Sequence, residues 1–552
     1  MLKSITLKFT DNASITLPTE GVTIFVGPNN SGKSLILREI ETLAFAQFGG
    51  GRVKVKTIES MEGDWPSPAK LDSWLDTFGS RNVHQPDQVR LWSRRPHGDP
   101  IATEHSRRQL EAVALRAATD PASWAFAASY FLRWGLLRLD GRTRFELSGD
   151  RPGGDLTGEP QNALQFLFQD DVVRKALQNL IYDAFGRYLV IDPSNLGRFS
   201  LKLSDTPPED ERSLSTKALS YFRGASHVTG ESDGVQAFIG ILVAILSGDY
   251  HTILLDEPEA FLHPPLARKL GANVAAIAKS KDSVLLAATH SADFLMGCIQ
   301  ASSKVRVMRL GYRKGRSTGK LVNTEQLRDF LRHPLMRSSN VASALFHDGV
   351  VVCESDNDRV FYGEIYQRLQ ETEESYPSIL FLNAHNKQTV PEIVGPLRKF
   401  GIPTVGIVDI DVVKEGGKEW AKQLDAINVP EPSKRGLETE RKAVKDLFDA
   451  SGKNMKRDGG AALLDKEGQK AADRLFDALE KDGLFVVRRG ELEHWLPELG
   501  VSITKTSWTV EILEKMGSDP DKTGYVKPGK GDVWDFMRGV VAWVRNEDRN
   551  GM

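Results

Sequence analysis

The residues best suited to chemistry fall in two stretches far apart in the chain. Gly27-Pro28-Asn29-Asn30-Ser31-Gly32-Lys33-Ser34 fits Gly-x4-Gly-Lys-Ser/Thr without a departure. Ile253-Leu254-Leu255-Asp256-Glu257-Pro258 is an apolar run ending in two carboxylates. In the first stretch, glycines at 27 and 32 let the backbone turn tightly, so that N–H groups along Asn29, Asn30, Ser31 and Gly32 face phosphate oxygens. Lys33 then reaches the β- and γ-phosphates, and the Ser34 hydroxyl is suited to Mg²⁺. The second stretch supplies Asp256 as a Mg²⁺ partner and Glu257 to polarise an attacking water. The bland alternatives are a chance glycine turn and a solvated helix start. Both halves together make a nucleotide site, for ATP, the expected reading.

These groups need a frame. Val22 to Val26 reads as a buried strand entering the loop, and Leu35, Ile36, Ile40 and Leu43 mark one face of a helix leaving it. Before it, Ile5, Leu7 and Phe9 alternate, as do Ile15 and Leu17, so residues 1–26 read as a β-meander. A second apolar strand, Ser283 to Thr289, ends in His290. A histidine at the carboxyl end of a strand in an α/β sheet sits where ligands bind, and here it reads as a γ-phosphate sensor. Thr229-Gly230-Glu231-Ser232-Asp233-Gly234-Val235-Gln236 opens an apolar helix, placing Ser232 and Gly234 at a second anion-binding helix start.

Composition sets the outer limits. The 552 residues suffice for two to four domains, and 40% hydrophobic with 26% charged residues is ordinary for a globular chain. The formal net charge of −2 supplies no global basic field, so any DNA contact comes from local patches. Cys298 and Cys353 are too few for a disulfide framework or a Cys-rich zinc site. The N-terminus lacks the apolar core of a signal peptide, and the longest apolar stretch, Val235 to Leu246, is too short to span a bilayer. A cytoplasmic protein with no membrane contact is expected.

Between the motifs the pattern is weaker. Arg90, Arg94, Arg95, Arg107 and Arg108 lie in a polar stretch with Trp92, suited to DNA phosphates, although a solvated helical face is the better reading of any one arginine. Leu137 to Phe145 reads as a hairpin about Asp140-Gly141. Residues 150–225 read as a largely helical insertion.

Taken in order, the Gly27–Ser34 loop, Ser232-Asp233-Gly234-x-Gln236, Asp256-Glu257-Pro258-Glu259 and His290 resemble an ABC-type ATPase head, in the compact form of RecF, SMC and OLD proteins. The resemblance implies that two heads sandwich ATP, with Ser232 and Gly234 completing the partner's loop, and hence a homodimer or higher homo-oligomer. Glu231 and Asp233 depart from the usual leucine and glycine of that signature, and Gln85 and Gln88 are weak candidates for its Q-loop glutamine.

The pattern restarts after a junction at 335–347. Gly349 to Cys353 reads as a strand ending in Glu354, with Asp358 at the start of the next helix. Ser378 to Leu382 is a second strand, and Thr404 to Val408 a third that ends in Asp409-Ile410-Asp411. Carboxylates gathered along one sheet edge repel one another unless divalent cations lie between them, and an all-oxygen set favours Mg²⁺ or Mn²⁺ over zinc. Two such ions, roughly 3.5–4 Å apart, stabilise the attacking and leaving oxygens of phosphodiester cleavage. Helix caps are the bland reading of any single carboxylate here.

Glu on the first strand and Asp-x-Asp on the third resemble a Toprim domain, with Ser355 in place of the usual glycine. An ABC-type head followed by Toprim is the architecture of OLD-family nucleases, including the nuclease subunit of the Gabija anti-phage system. That resemblance implies a further acidic ligand, for which Glu493 is preferred to Glu491, and a lysine that stabilises transition-state charge, for which Lys530 is preferred to Lys527 and Lys387. It also implies DNA as substrate and makes a helicase or other defence-system subunit a candidate partner.

The expected fold is α/β: an ABC-type ATPase head over 1–340 with its insertion at about 150–225, then a Toprim domain over 341–552 with a charged helical insertion at about 414–482. The expected function is an ATP-binding and ATP-hydrolysing, metal-dependent DNA endonuclease of anti-phage defence. The alternative is a RecF-like mediator of repair whose Toprim domain only binds DNA. A topoisomerase or primase is disfavoured, because the sequence lacks a strand-attacking tyrosine domain and zinc-ribbon cysteines.

Overall fold

The computed structural model describes residues 2–10, 12–46, 54–81, 87–93, 101–141, 143–332, 341–501 and 507–552. The readings that involve Gln85, Arg94, Arg95, Arg142 and residues 333–340 lie outside them. The chain divides into two compact units, Met1–Thr324 and Glu325–Met552. Among the described residues, no helix is long and apolar enough to cross a membrane.

In the first unit β1 (Leu2–Lys8) pairs antiparallel with β2 (Ser14–Pro18), and β3 (Val22–Val26) follows in a different sheet. The meander expected for residues 1–26 is therefore split. The other neighbour of β1 is β4 (Ile58–Gly63), also antiparallel. A small antiparallel sheet holds β5 (Gly79–Arg81), β6 (Gln88–Ser93) and β7 (Ile101–Ser106). Arg107 is bound by Asp72 at 2.6 Å and Glu111 at 2.9 Å, which makes it a structural pair.

β8 (Leu136–Leu139) is not the first arm of a hairpin. It pairs in parallel with β13 (Thr252–Asp256), and the chain beyond it turns into a short helix at Glu146–Ser148. The insertion is mixed. Its helices Ala163–Gln169, Asp171–Phe185 and Thr216–Gly224 accompany a sheet of β9 (Arg151–Pro152), β10 (Tyr188–Asp192), β11 (Arg198–Ser204) and β12 (Ser226–His227). The largely helical expectation overlooked the alternation in Arg198–Ser204, where Phe199, Leu201 and Leu203 are buried.

The main sheet adds β14 (Val284–Ala288), β15 (Val305–Arg313) and β16 (Arg316–Val322), in the order β16-β15-β3-β14-β13-β8. All neighbours are parallel except β15 and β16. The central strands β3, β13 and β14 are buried along their whole length, which is why they read as unbroken apolar runs. This order sets β14 between β3 and β13, so the phosphate loop, His290 and Asp256-Glu257 leave neighbouring strands at one sheet edge.

The second unit is built on four parallel strands in the order β18-β17-β19-β20: β17 (Gly349–Cys353), β18 (Ile379–Asn383), β19 (Thr404–Asp409) and β20 (Leu484–Val487). Between β19 and β20 lie the helices Gly417–Ala426, Glu431–Ala450 and Lys466–Lys481. The unit has its own core, in which Phe361, Tyr362, Trp508 and Met537 pack together with residues of the sheet.

Candidate functional sites

In the first unit the loop after β3 needs backbone that side chains resist. Gly27 has φ of 143° and Gly32 of 94°, and a Cβ on Gly27 would stand 2.2 Å from the Leu310 carbonyl oxygen. Lys33 opens the helix Lys33–Phe45 and folds its ammonium over its own loop, donating to the carbonyls of Gly27 at 2.9 Å and Pro28 at 2.8 Å. Burial pulls its pKa down to about 8, against the raising fields of Glu257, Glu259 and Asp256. The Ser34 hydroxyl donates to Asp256 Oδ1 at 2.6 Å, so the two expected Mg²⁺ partners already meet.

Two arginines that sequence reasoning passed over complete this edge. Arg138 on β8 lies 2.8 Å from Glu41 and 3.7 Å from Asp256 Oδ2, placing a cation beside the buried Asp256. Arg144 is fully buried and donates to the carbonyls of Asp256 and Glu257. It thereby holds the turn in which Glu257 adopts a φ of 49°. His290 Nε2 is 3.8 Å from Glu257 Oε1, and burial followed by the field of Lys33 lowers the histidine's pKa. Glu259 Oε1 accepts the His290 backbone N–H at 2.7 Å. Burial raises the pKa of Glu259. Beside the loop, a cavity of about 670 Å³ is lined by Asn30, Ser31, Gly32, Phe9 and Tyr312, among others.

Ser232 and Gly234 do not line that cavity. They start the helix Asp233–Leu246, where a Cβ on Gly234 would stand 2.7 Å from the Phe261 carbonyl oxygen. The departure at Glu231 has a structural reason. Its carboxylate is paired with Arg187 at 2.8 Å and accepts from Ser226 Oγ at 2.6 Å, tying the signature turn to β12.

In the second unit Glu354, Asp409 and Asp411 each offer a carboxylate oxygen, all within 4.8 Å of one another. Glu354 follows β17 and Asp409 ends β19, and Glu354 Oε1 accepts the Asp409 backbone N–H at 2.9 Å. Burial, then the charge of Asp409, pushes Glu354 up to about 8. Burial, despite Lys456, pushes Asp409 up to about 7. Two such neighbours titrate as a pair. Lys456 Nζ stands 2.5 Å from Asp409 Oδ2, and its charge opposes the rise that burial imposes on Asp409. Lys387 Nζ is 3.0 Å from Asp411 Oδ2. Asp411 Oδ1 is buried and, among the described residues, accepts no hydrogen bond. An all-carboxylate nest with an open buried oxygen fits a hard divalent cation.

Other expected residues are placed differently. Asp358 lines, with Glu354, Asp409 and Asp411, a cavity of about 420 Å³ but stands outside the tight cluster, because its Oδ2 accepts from the Ser355 N–H at 2.8 Å and Oγ at 2.7 Å. Serine in place of glycine creates a capping box that draws this carboxylate to the helix start. Glu491 and Glu493 both line the cavity, again outside the cluster. Lys530 and Lys527 are exposed in the loop before the helix Asp532–Arg545 and do not line it, whereas Lys387 and Lys456 do. His385, Asn386 and Gln388 complete one wall.

Two family models match the chain. One, "AAA domain, putative AbiEii toxin, Type IV TA system", covers residues 160–297 and so includes Ser232, Asp256, Glu257 and His290. The other, "Overcoming lysogenization defect protein-like, TOPRIM domain", covers residues 345–411 and includes Glu354, Asp409 and Asp411. The two matches support an OLD-family ATPase–Toprim protein. Its fold is α/β in both units. No curated protein matches it.

Among solved structures, it is similar to an SMC head bound to the C-terminal winged-helix domain of ScpA. They share 14% identity over 59% of this chain and 99% of that one, with a TM-score of 0.35. The SMC head domain from Thermotoga maritima shares 15% identity over 58% and 99%, with a TM-score of 0.28. A Pyrococcus furiosus SMC head with an extended coiled coil shares 13% over 60% and 98%, with a TM-score of 0.31. An ATPase domain joined to an OLD-like Toprim domain supports an ATP-dependent, nuclease-type function that uses nucleotide and divalent metal.

Proposed function

We propose that this protein is a DNA endonuclease that depends on divalent metal and is controlled by ATP. The observation that carries the reading is the carboxylate nest of Glu354, Asp409 and Asp411, together with the buried Asp411 Oδ1 that has no hydrogen-bond partner among the described residues. A pure DNA-binding module has no use for three carboxylates at one point, since they repel the phosphate backbone. Bound divalent cations supply charge neutralisation and an activated water. Glu354, Asp409 and Asp411 hold them, Glu491 and Glu493 border the site, and the cavity's lysines face the negative phosphate. Lys387 and Lys456 support this reading better than Lys530, because they are at the site.

In the first unit, Lys33 and the Gly27–Ser34 backbone bind the phosphates of ATP, and Ser34 with Asp256 holds Mg²⁺. Glu257 orients the attacking water and His290 senses the γ-phosphate. The cavity beside Asn30 takes the nucleoside. Ser232 and Gly234, which stand outside that cavity, act on the loop of a second copy, making the active form a homodimer. The anti-phage setting, with a helicase or other defence subunit as partner, follows from the family resemblance.

The test is supercoiled plasmid incubated with Mg²⁺ or Mn²⁺, with and without ATP, beside an Asp409→Ala, Asp411→Ala variant. Metal-dependent cutting that the variant loses is the expected result. Intact plasmid with vigorous ATP hydrolysis overturns the nuclease reading in favour of the mediator.

A further inference from the structure

The two lysines at the carboxylate nest are held in different ways. Lys387 comes from the loop after β18 and is shared between Asp411 and Glu415, each at 3.0 Å. A second carboxylate keeps it in place whatever happens at Asp411. Lys456 comes from the helical insertion, and among the described residues its ion-pair partner is Asp409, at 2.5 Å.

The backbone that carries Lys456 is fixed. Asn454 Oδ1 accepts the N–H groups of Lys456 at 3.0 Å and Arg457 at 3.2 Å, and the Asn454 N–H donates to Asp458 Oδ2 at 2.7 Å. The Arg457 carbonyl lies 3.1 Å from His494 Nε2. Gly490, with φ of 117°, packs so closely that a Cβ there would stand 2.3 Å from the Lys456 carbonyl oxygen. A long flexible side chain on a clamped backbone moves its charge without moving the fold.

We propose that Lys456 is the nest's resident cation: it occupies one metal position on Asp409, yields that carboxylate to a divalent ion, and then contacts the phosphate of the bound DNA. The inference rests on the metal-site reading above. One ammonium pairs a single charge with one carboxylate, whereas a divalent ion is shared among Glu354, Asp409 and Asp411, so the metal prevails when it is present. The released ammonium stays within the cavity, where a phosphate is the nearest new anion.

The test is Mn²⁺ affinity of the full chain without nucleotide or DNA, read by electron paramagnetic resonance, with Asp411→Asn defining background. Lys456→Gln is expected to bind Mn²⁺ roughly tenfold tighter than the wild type, because a competing positive charge has gone. Lys456→Arg, which keeps the charge, is expected to stay within about threefold of wild type. The Mn²⁺-induced rise in Tm, larger in Lys456→Gln than in wild type, shows that the variant measured is folded. At saturating Mn²⁺, the KM of Lys456→Gln for DNA should rise by about tenfold.

Equal or weaker Mn²⁺ binding by Lys456→Gln overturns the proposal whether or not the wild type cuts DNA. Tighter binding with an unchanged KM overturns its phosphate half. A wild type that never cuts, beside a variant that binds Mn²⁺ more tightly, sinks the nuclease reading and leaves the cation exchange standing.

Discussion

Glu354 and Asp409 sit half-buried side by side at a cost to the folded state, and that cost is readable in pH. Both carboxyl groups titrate above their ordinary values of 4.5 and 3.8, chiefly through burial. Between those values and about 8, this pair therefore holds more protons in the folded state than in the unfolded one, and its own contribution to stability has that sign. Stability is greatest below this window and falls as pH rises through it. The metal-free Tm in chelator should decline from about pH 5 to pH 8, and the decline should shrink in Glu354→Gln and in excess Mn²⁺. A wild-type profile identical to that of Glu354→Gln would remove the buried-carboxylate account. Glu354, Asp409 and Asp411 were legible because each ends or follows an apolar strand. Lys456 was not, because it lies in a charged insertion where every lysine looks solvated and only the fold brings it to Asp409.

Elements decide where those residues point, and here the sequence spoke less clearly. The buried strands β3, β13, β14, β17 and β19 stood out as short apolar runs, and their order along the chain placed each motif at a carboxyl end. β8 did not, because Asp140-Gly141 imitates a hairpin turn and nothing local shows that the strand pairs with distant β13. That misreading hid Arg144, whose guanidinium donates to the carbonyls of Asp256 and Glu257 and lies 3.5 Å from that of Ala260. Removing it leaves buried carbonyls without a donor, at about 1–3 kcal/mol for each group stranded. Arg144→Ala should keep the KM for ATP within about threefold while kcat falls at least about tenfold, since it supports the turn bearing Glu257 and not the phosphate loop. A variant that loses ATP binding and keeps its kcat would place Arg144 in the wrong half of the site.

At the scale of the molecule, each unit closes a core of its own. The first gathers Phe25, Ile36, Leu254 and Leu286 around the main sheet, while the second gathers Phe361, Trp508 and Trp534. The phosphate loop belongs wholly to the first unit and the carboxylate nest wholly to the second. Separate cores with separate ligands predict two calorimetric transitions that answer to different additions. Mn²⁺ alone should raise one of them. At a hundredfold excess over Kd the linkage is about 2.7 kcal/mol, or roughly 5–10 °C for a unit of this size. A non-hydrolysable ATP analogue, added with Mn²⁺ already present, should then raise the other. Lys33→Ala should abolish only this second shift, and Asp411→Asn only the first. If the nucleotide analogue moves both transitions in the wild type and neither in Lys33→Ala, the units melt as a coupled pair, and nucleotide bound at Lys33 already stabilises the carboxylate nest before any DNA arrives.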